Sequence, residues 1–270
     1  MSDYIFLKLG GSLITDKNKP HTPNIEVIKR AAEEINSAIR QTCDIQLIIG
    51  HGSGSFGHVP AKKYTTRQGV YSADEWIGFQ KVWYEARALN QIVIEILSAA
   101  GLPIIAFPPS ASLTSSNREI SNWNVQPIMK AVQSGLIPLI NGDVVIDQVI
   151  GGTIFSTEEL FFNLSKYLTP SKILLAGIEP GVWADFPRCT KIVKEITTLS
   201  FPSTNMNLGP SKSVDVTGGM LNKVEIMLDI IKFAPACQGA IFSGLIPGNI
   251  QESLLGVEIG TQMRDGHVTE

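Results

Sequence analysis

Two apolar runs in this chain each empty into glycines, and that pairing restricts the fold more than any other feature. Gln46-Leu-Ile-Ile-Gly-His-Gly-Ser-Gly-Ser-Phe-Gly-His58 places four glycines within eight residues and closes on a histidine. Tyr4-Ile-Phe-Leu-Lys-Leu-Gly-Gly-Ser12 carries Lys8 into Gly10, Gly11 and Ser12. Glycine lets backbone approach a ligand closely and adopt positive φ, and the successive N–H groups of such a turn form a concavity of positive partial charge. Two strands that end this way can hold two phosphates.

Gly52, Gly54 and Gly57 also fit G-x-G-x-x-G, the dinucleotide-binding pattern, which expects an acidic residue ending the next strand about 20 residues on. Asp74 and Glu75 stand at that distance. They sit in Ser72-Ala-Asp-Glu-Trp, however, where Ser72 followed by Glu75 reads as a capping box that opens a helix. Acids at a helix start do not ligate a ribose.

Apolar β-like runs recur at Tyr4–Leu9, Ile45–Ile49, Pro103–Phe107, Ile137–Asn141, Lys172–Ala176 and Gly239–Phe242. Between them lie helix-period segments at Pro23–Thr42, Ser72–Ala100, Asn124–Ser134, Thr157–Leu168, Thr217–Phe233 and Ile250–Leu255. That alternation predicts an α/β fold, a three-layer αβα sandwich on a mainly parallel sheet. Gly142-Asp-Val-Val-Ile-Asp-Gln-Val-Ile-Gly-Gly-Thr-Ile-Phe155 breaks the rhythm and predicts an inserted β-hairpin turning at Gln148. Phe201–Ser213, rich in Ser, Pro, Asn and Gly, predicts a mobile loop.

A net charge of −3 with 17% charged residues offers no broad basic face for nucleic acid. No apolar segment approaches the ~18 residues that would span a bilayer, and no secretory leader is evident. Three widely spaced cysteines, Cys43, Cys189 and Cys237, form no metal pattern and read as idle thiols of a reducing compartment. A cytoplasmic protein is expected.

Lys-Leu-Gly-Gly-Ser (8–12), Ile-Thr-Asp-Lys (14–17), His-Gly-Ser-Gly-Ser-Phe-Gly-His (51–58) with Ala-Lys-Lys-Tyr (61–64), Gly-Asp-Val-Val (142–145) and Asp-Val-Thr-Gly-Gly-Met-Leu-Asn-Lys (215–223) together resemble the amino acid kinase superfamily. Within it the resemblance is closest to the isopentenyl phosphate kinases. It implies one amino acid kinase domain over residues 1–270, with an acceptor lobe to about residue 165 and a nucleotide lobe after it. It also implies a homodimer. The sequence departs from the family at Ser53, where a glycine is usual, so φ there must suit serine. It departs again at Phe155-Ser-Thr-Glu-Glu-Leu160, where the family carries Ser-Gly-Asp and either Glu158 or Glu159 stands in for the aspartate. A third departure is Ala176-Gly-Ile-Glu-Pro-Gly-Val-Trp183, where Gly177 replaces an acid.

The reaction this resemblance implies is phosphorylation of isopentenyl phosphate by ATP with Mg²⁺, a direct transfer that needs aligned substrates and cations. Lys8 bridges the two substrates, and Lys17 stabilises the transition state. Lys223, on a helix opening with Gly218 and Gly219, reaches nucleotide phosphate that the helix N-terminus also accepts. Gly10, Gly11, Ser12, Gly54 and Gly177 complete the nucleotide contacts. The acceptor phosphate rests on the amides of Ser53 and Gly54, with His58 donating and Thr157 nearby. Asp143 either caps a turn or orients the lysines or the metal. Lys62 and Lys63 read as surface charges, and Trp76, Phe79 and Trp83 share a helix face that either lines an apolar slot or packs inward. Two alternatives keep the fold: a kinase of fosfomycin or another phosphonate, and a nucleotide-binding regulatory domain without turnover.

Overall fold

The computed structural model describes residues 3–16, 18–42, 45–201 and 219–266, with backbone alone at Asp3, His58 and Val59. The chain runs β1 (Asp3–Leu9), α1 (Gly11–Ile14), α2 (Ile25–Gln41), β2 (Ile45–His51), α3 (Gly54–Lys63), a 3₁₀ turn (Thr66–Gln68), α4 (Ala73–Ala99) and β3 (Ile104–Ala106). It continues through α5 (Pro109–Ser112), β4 (Leu113–Ser116), β5 (Glu119–Trp123), α6 (Gln126–Gln133), β6 (Ile137–Asn141), β7 (Asp143–Asp147) and β8 (Gly151–Phe155). The remainder is α7 (Thr157–Ser165), β9 (Pro170–Gly177), β10 (Glu195–Thr197), α8 (Gly219–Phe233), β11 (Gln238–Ser243), α9 (Asn249–Leu254) and β12 (Thr261–Arg264).

All six expected β-runs enter one eight-stranded sheet of order β10-β12-β11-β9-β1-β2-β6-β3. Pairing is parallel except where β12 runs against β11. Alternation along each strand sorts the core onto two faces. Phe6, Ile48, Ile140, Ile173 and Ile241 pack beneath α6, α7 and α8. Leu7, Leu47, Ile49, Leu174 and Phe242 pack beneath α2, α4 and α9. Such near-continuous apolar strands are what a parallel sheet covered on both sides requires, and the three-layer sandwich follows. No described helix is long and apolar enough to cross a membrane.

The hairpin is present as β7 paired antiparallel with β8, with its turn at residues 148–150. It belongs to a second sheet, β5-β4-β7-β8, of which sequence reading saw only half. β4 and β5 are short and polar, and they turn through Asn117 and Arg118, both at positive φ. Asp147 makes that turn possible. Its carboxylate accepts the N–H of Asn117 at 2.9 Å and of Arg118 at 2.8 Å, and the Ser115 hydroxyl at 2.7 Å. Burial opposes its charge, yet these donors and the N–H groups of Val149 and Ile150 hold Asp147 well below the usual carboxylate range. The glycine-rich stretch read as a turn up to His58 also differs, because helix α3 already begins at Gly54. The loop expected at Phe201–Ser213 lies, after Phe201, outside the described residues.

A buried carboxylate fixes the far end of the fold. Glu34, on α2 and 7% exposed, accepts the N–H groups of Gly248 at 2.9 Å and Ile250 at 3.0 Å, capping α9 from another helix. Glu34→Ala leaves these helix-start donors buried without partners, so urea unfolding should show a loss of about 1–3 kcal/mol.

Candidate active site

Chain order along the sheet sets where a ligand can bind. From β1 the chain progresses outward through β2 to β6, then returns to lay β9 on the other side of β1. The crevice beyond the carboxyl ends of β1 and β9 is therefore the switch point at which open α/β sheets bind ligands. Gly10 leaves β1 there, its N–H donating to Ala176 O at 2.8 Å. Gly177, which ends β9, has open space where a side chain would stand, its nearest neighbour 4.0 Å away.

The two glycine turns foretold by the sequence touch each other. A Cβ on Gly11 would stand 2.6 Å from the Gly54 nitrogen and 2.8 Å from its Cα, so only glycine permits the approach. Gly52 N donates to Leu9 O at 3.3 Å. Thr15, just past α1, accepts Ser55 N at 2.9 Å and donates to Gly11 O at 2.7 Å. Ser53 takes an ordinary right-handed conformation, φ −76°, so the serine at this glycine position costs nothing in backbone strain. The positive φ falls on Gly54, at +51°.

Lys8 lies on the same face of β1 as Phe6, pointing toward α7 and α8. There its ammonium pairs with Glu158, both side chains being buried. Burial pushes the Glu158 carboxyl up, but the charges of Lys8 and then Lys223 outweigh it and hold the group ionised. One carboxylate thus gathers the lysines of β1 and α8. The two glutamates point opposite ways: Glu159 closes a capping box with Ser156 and pairs with Arg67 at 3.0 Å and Arg118 at 3.4 Å. The tight seat of α7 on β2 depends on Gly50, where a Cβ would stand 2.3 Å from Thr157 Cγ2. Thr157, 1% exposed, donates its hydroxyl to His51 O at 2.7 Å and so braces the turn, a use that spacing had not suggested.

His51 was passed over in the sequence. It is fully buried, with ring nitrogens 2.9 Å from Asn90 Oδ1 and 3.1 Å from Gly52 O. Burial, helped by Lys8, holds its pKa below the ordinary value. Asp143 opens β7 beside it and accepts N–H groups from Ser110 at 3.2 Å and Val144 at 2.9 Å. Burial raises its pKa to about 6, against the partial relief of those donors.

Beyond the turn at Ser53 and Gly54, Phe79 and Trp83 pack with Ala61, Val82, Val144 and Ile154 in a small cluster between α3, α4 and the hairpin. Trp76 meets Phe79 edge-on at 5.2 Å and is 38% exposed. Two members of this aromatic face therefore pack inward, as the packing reading expects, while Trp76 stays partly open. Lys62 and Lys63 are exposed, as expected. Ser12 lies in α1 and Gly219 opens α8 at φ +72°. Lys17 and Gly218 lie outside the described residues, as does the side chain of His58. Among the described residues no group of three or more His, Cys, Asp or Glu side chains is gathered for a metal ion. Burial pushes the Cys237 thiol up to about 12, which suits no nucleophile.

Residues 3–237 match the amino acid kinase family. An isopentenyl phosphate kinase of Methanocaldococcus jannaschii is 32% identical, over 95% of this chain and 97% of that protein. One from Methanothermobacter thermautotrophicus is 29% identical over 97% and 100%. A solved isopentenyl phosphate kinase structure superposes with a TM-score of 0.81 at 26% identity, covering 96% of this chain and 99% of that one.

The raised Asp143 pKa has a definite sign. The unfolded carboxyl releases its proton near its ordinary 3.8 and the folded one near 6. Between those values the folded chain holds the extra proton, so stability falls as pH rises through the window and stays lower above it. Asp143→Asn should therefore raise stability at pH 7.5 by on the order of 1–3 kcal/mol, with the gain vanishing near pH 4 and kcat falling. Urea unfolding at the two pH values, beside kinetics at pH 7.5, checks both halves.

Proposed function

Because the chain belongs to the amino acid kinase family and, within it, to the isopentenyl phosphate kinases, we propose that it transfers the terminal phosphoryl group of ATP to isopentenyl phosphate. The products are isopentenyl diphosphate and ADP. A phosphate oxygen of the acceptor forms the new P–O bond as the bond to ADP breaks, with no phospho-enzyme. The acceptor arrives already deprotonated, so the protein's task is alignment and charge neutralisation.

The observation that carries this reading is the contact between the two glycine turns at the switch point. Two anion cradles whose backbones touch hold two phosphates within reach of each other, which in-line transfer demands. In this assignment Gly10, Gly11 and Ser12 hold the nucleotide's end phosphates, and Ser53 and Gly54 with His58 hold the acceptor's. Lys8 neutralises charge between them. Its pairing with Glu158 keeps the ammonium oriented and charged, and the same carboxylate draws Lys223 toward the nucleotide. Gly177, Gly218 and Gly219 border the nucleotide. Lys17 stabilises the transferring group, and Asp143 is the anion that orients these cations.

Magnesium enters this scheme as part of the ATP complex, held chiefly by phosphate oxygens, as that ion prefers. The donor set supports this: Glu158 is tied to Lys8, and Asp143 to two N–H groups. Bound there, the ion would supply charge neutralisation. The same reading makes the protein a cytoplasmic homodimer whose acceptor lobe ends near residue 165, expectations supported by the family alone.

Head-group recognition should be steep and tail recognition shallow. Isopentenol leaves the amides and the His58 donor unpaired, at ~1–3 kcal/mol for each buried group, whereas one methylene of tail is worth about 1 kcal/mol. Measured kcat/KM at one ATP concentration should rank isopentenyl phosphate and dimethylallyl phosphate close together, with isopentenol inactive. Fosfomycin outrunning both isoprenoid phosphates would assign the protein to phosphonates instead. Lys17→Ala should lower kcat about 10²–10³-fold with small changes in either KM, and turnover near the parent rate would remove Lys17 from the mechanism.

A further inference from the structure

Between α1 and α2, residues 15–16 and 18–24 fold back on themselves and are fastened at two places. Asp16 N donates to Thr22 O at 2.9 Å, Thr15 bridges Pro23, and Asn24 N donates to Ile14 O at 2.8 Å. The stem is tied to the acceptor turn through Ser55, whose N–H donates to Thr15 Oγ1 at 2.9 Å and whose hydroxyl accepts Thr22 N at 3.4 Å. The tip is tied elsewhere. His21 stands at φ +50°, sets its ring edge-on to Phe56 at 5.4 Å, and donates from Nδ1 to Glu85 Oε2 of α4 at 2.8 Å.

This tip contact is costly to arrange and adds little to the fold. A left-handed φ is unfavourable for a residue other than glycine, and a pair whose histidine is half exposed contributes little to global stability. What it does fix is position. Phe56 lies in the first turn of α3, which follows directly on the acceptor turn, and Glu85 lies in the long helix beside it, so one imidazole locks the segment's tip to both. We propose that His21 and Glu85 are positioning residues that hold the 15–24 segment closed against the acceptor turn. The proposal rests on the reading above that this segment brings Lys17 to the transferring phosphoryl group. Neither residue touches substrate in this assignment. They set how often the segment is closed when both substrates are bound, and so act on kcat rather than on nucleotide affinity.

Three variants separate the contact from its backbone. Glu85→Ala removes the acceptor at a helix position that alanine favours. His21→Gly removes the ring while relieving the left-handed strain. His21→Asn keeps a donor near the Nδ1 position and tolerates the same φ. Glu85→Ala and His21→Gly should each lower kcat about tenfold with KM for ATP within twofold, and the double variant should be no worse than either. His21→Asn should retain most of the activity. Amide hydrogen exchange over residues 15–24 should rise in the first two variants and not in the third. Unchanged exchange in Glu85→Ala, parent-level kcat, or additive losses in the double variant would overturn the proposal. If the parent does not phosphorylate isopentenyl phosphate at all, the assigned function fails, and the exchange comparison alone still decides whether the pair closes the segment.

Discussion

Gly11 and Gly54 meet backbone to backbone at distances that exclude any side chain between them. Most of what surrounds them serves that contact. β1 and β2 must be adjacent and parallel so that both turns emerge on one side of the sheet. Gly50 must be bare so that α7 can settle on β2 and carry Glu158 to Lys8. Thr15 and Thr157 spend their hydroxyls on the same backbone rather than on a ligand. A residue larger than glycine at position 11 would push the two turns apart and, in the function proposed above, the two phosphates assigned to them. For a reaction governed by alignment, a shift of one ångström is enough to matter.

The site's electrostatics pull against the stability of the chain that builds it. Lys8 and Glu158 are both withdrawn from water, and a buried pair repays its desolvation only when geometry and neighbours are favourable. Asp143 is ionised at neutral pH although its surroundings disfavour the charge. His51 is kept from charging by burial and by Lys8. Lys8, Glu158, Asp143 and His51 thus sit together at the carboxyl edge of the sheet, held in place by packing and hydrogen bonds. That preorganisation is what a developing negative charge is stabilised by, and it costs no rearrangement at the moment of transfer.

Features with short-range causes were legible in the sequence. Glycine after an apolar run, apolar strand runs and the capping box at Ser72 all act within a few residues, and the structure contains them. What stayed hidden depends on partners distant in the chain. Nothing local separates Glu158 from Glu159. Only the arrival of Arg67 and Arg118 on one side and of Lys8 on the other does so. β4 and β5 escaped notice because their turn is stabilised by Asp147, roughly thirty residues away, rather than by turn residues of its own. His51 looked like one more residue of a glycine stretch, and its importance lies in Asn90 and Thr157. The helix at Gly54 was concealed by its glycines and Pro60, residues that argue against helix unless packing overrides them.

The aromatic cluster beside the acceptor turn is separate from both main cores. Phe79, Trp83 and Ile154 pack with Ala61, Val82 and Val144, with Trp76 joined through Phe79, while the sheet's two faces have their own clusters. The group is small and apart from the clusters on the sheet's faces, and among the described residues it reaches the glycine turn only through Ala61 of α3. In the function proposed above the acceptor's tail extends beside this cluster, so substitutions here bear on tail length without touching the two main cores.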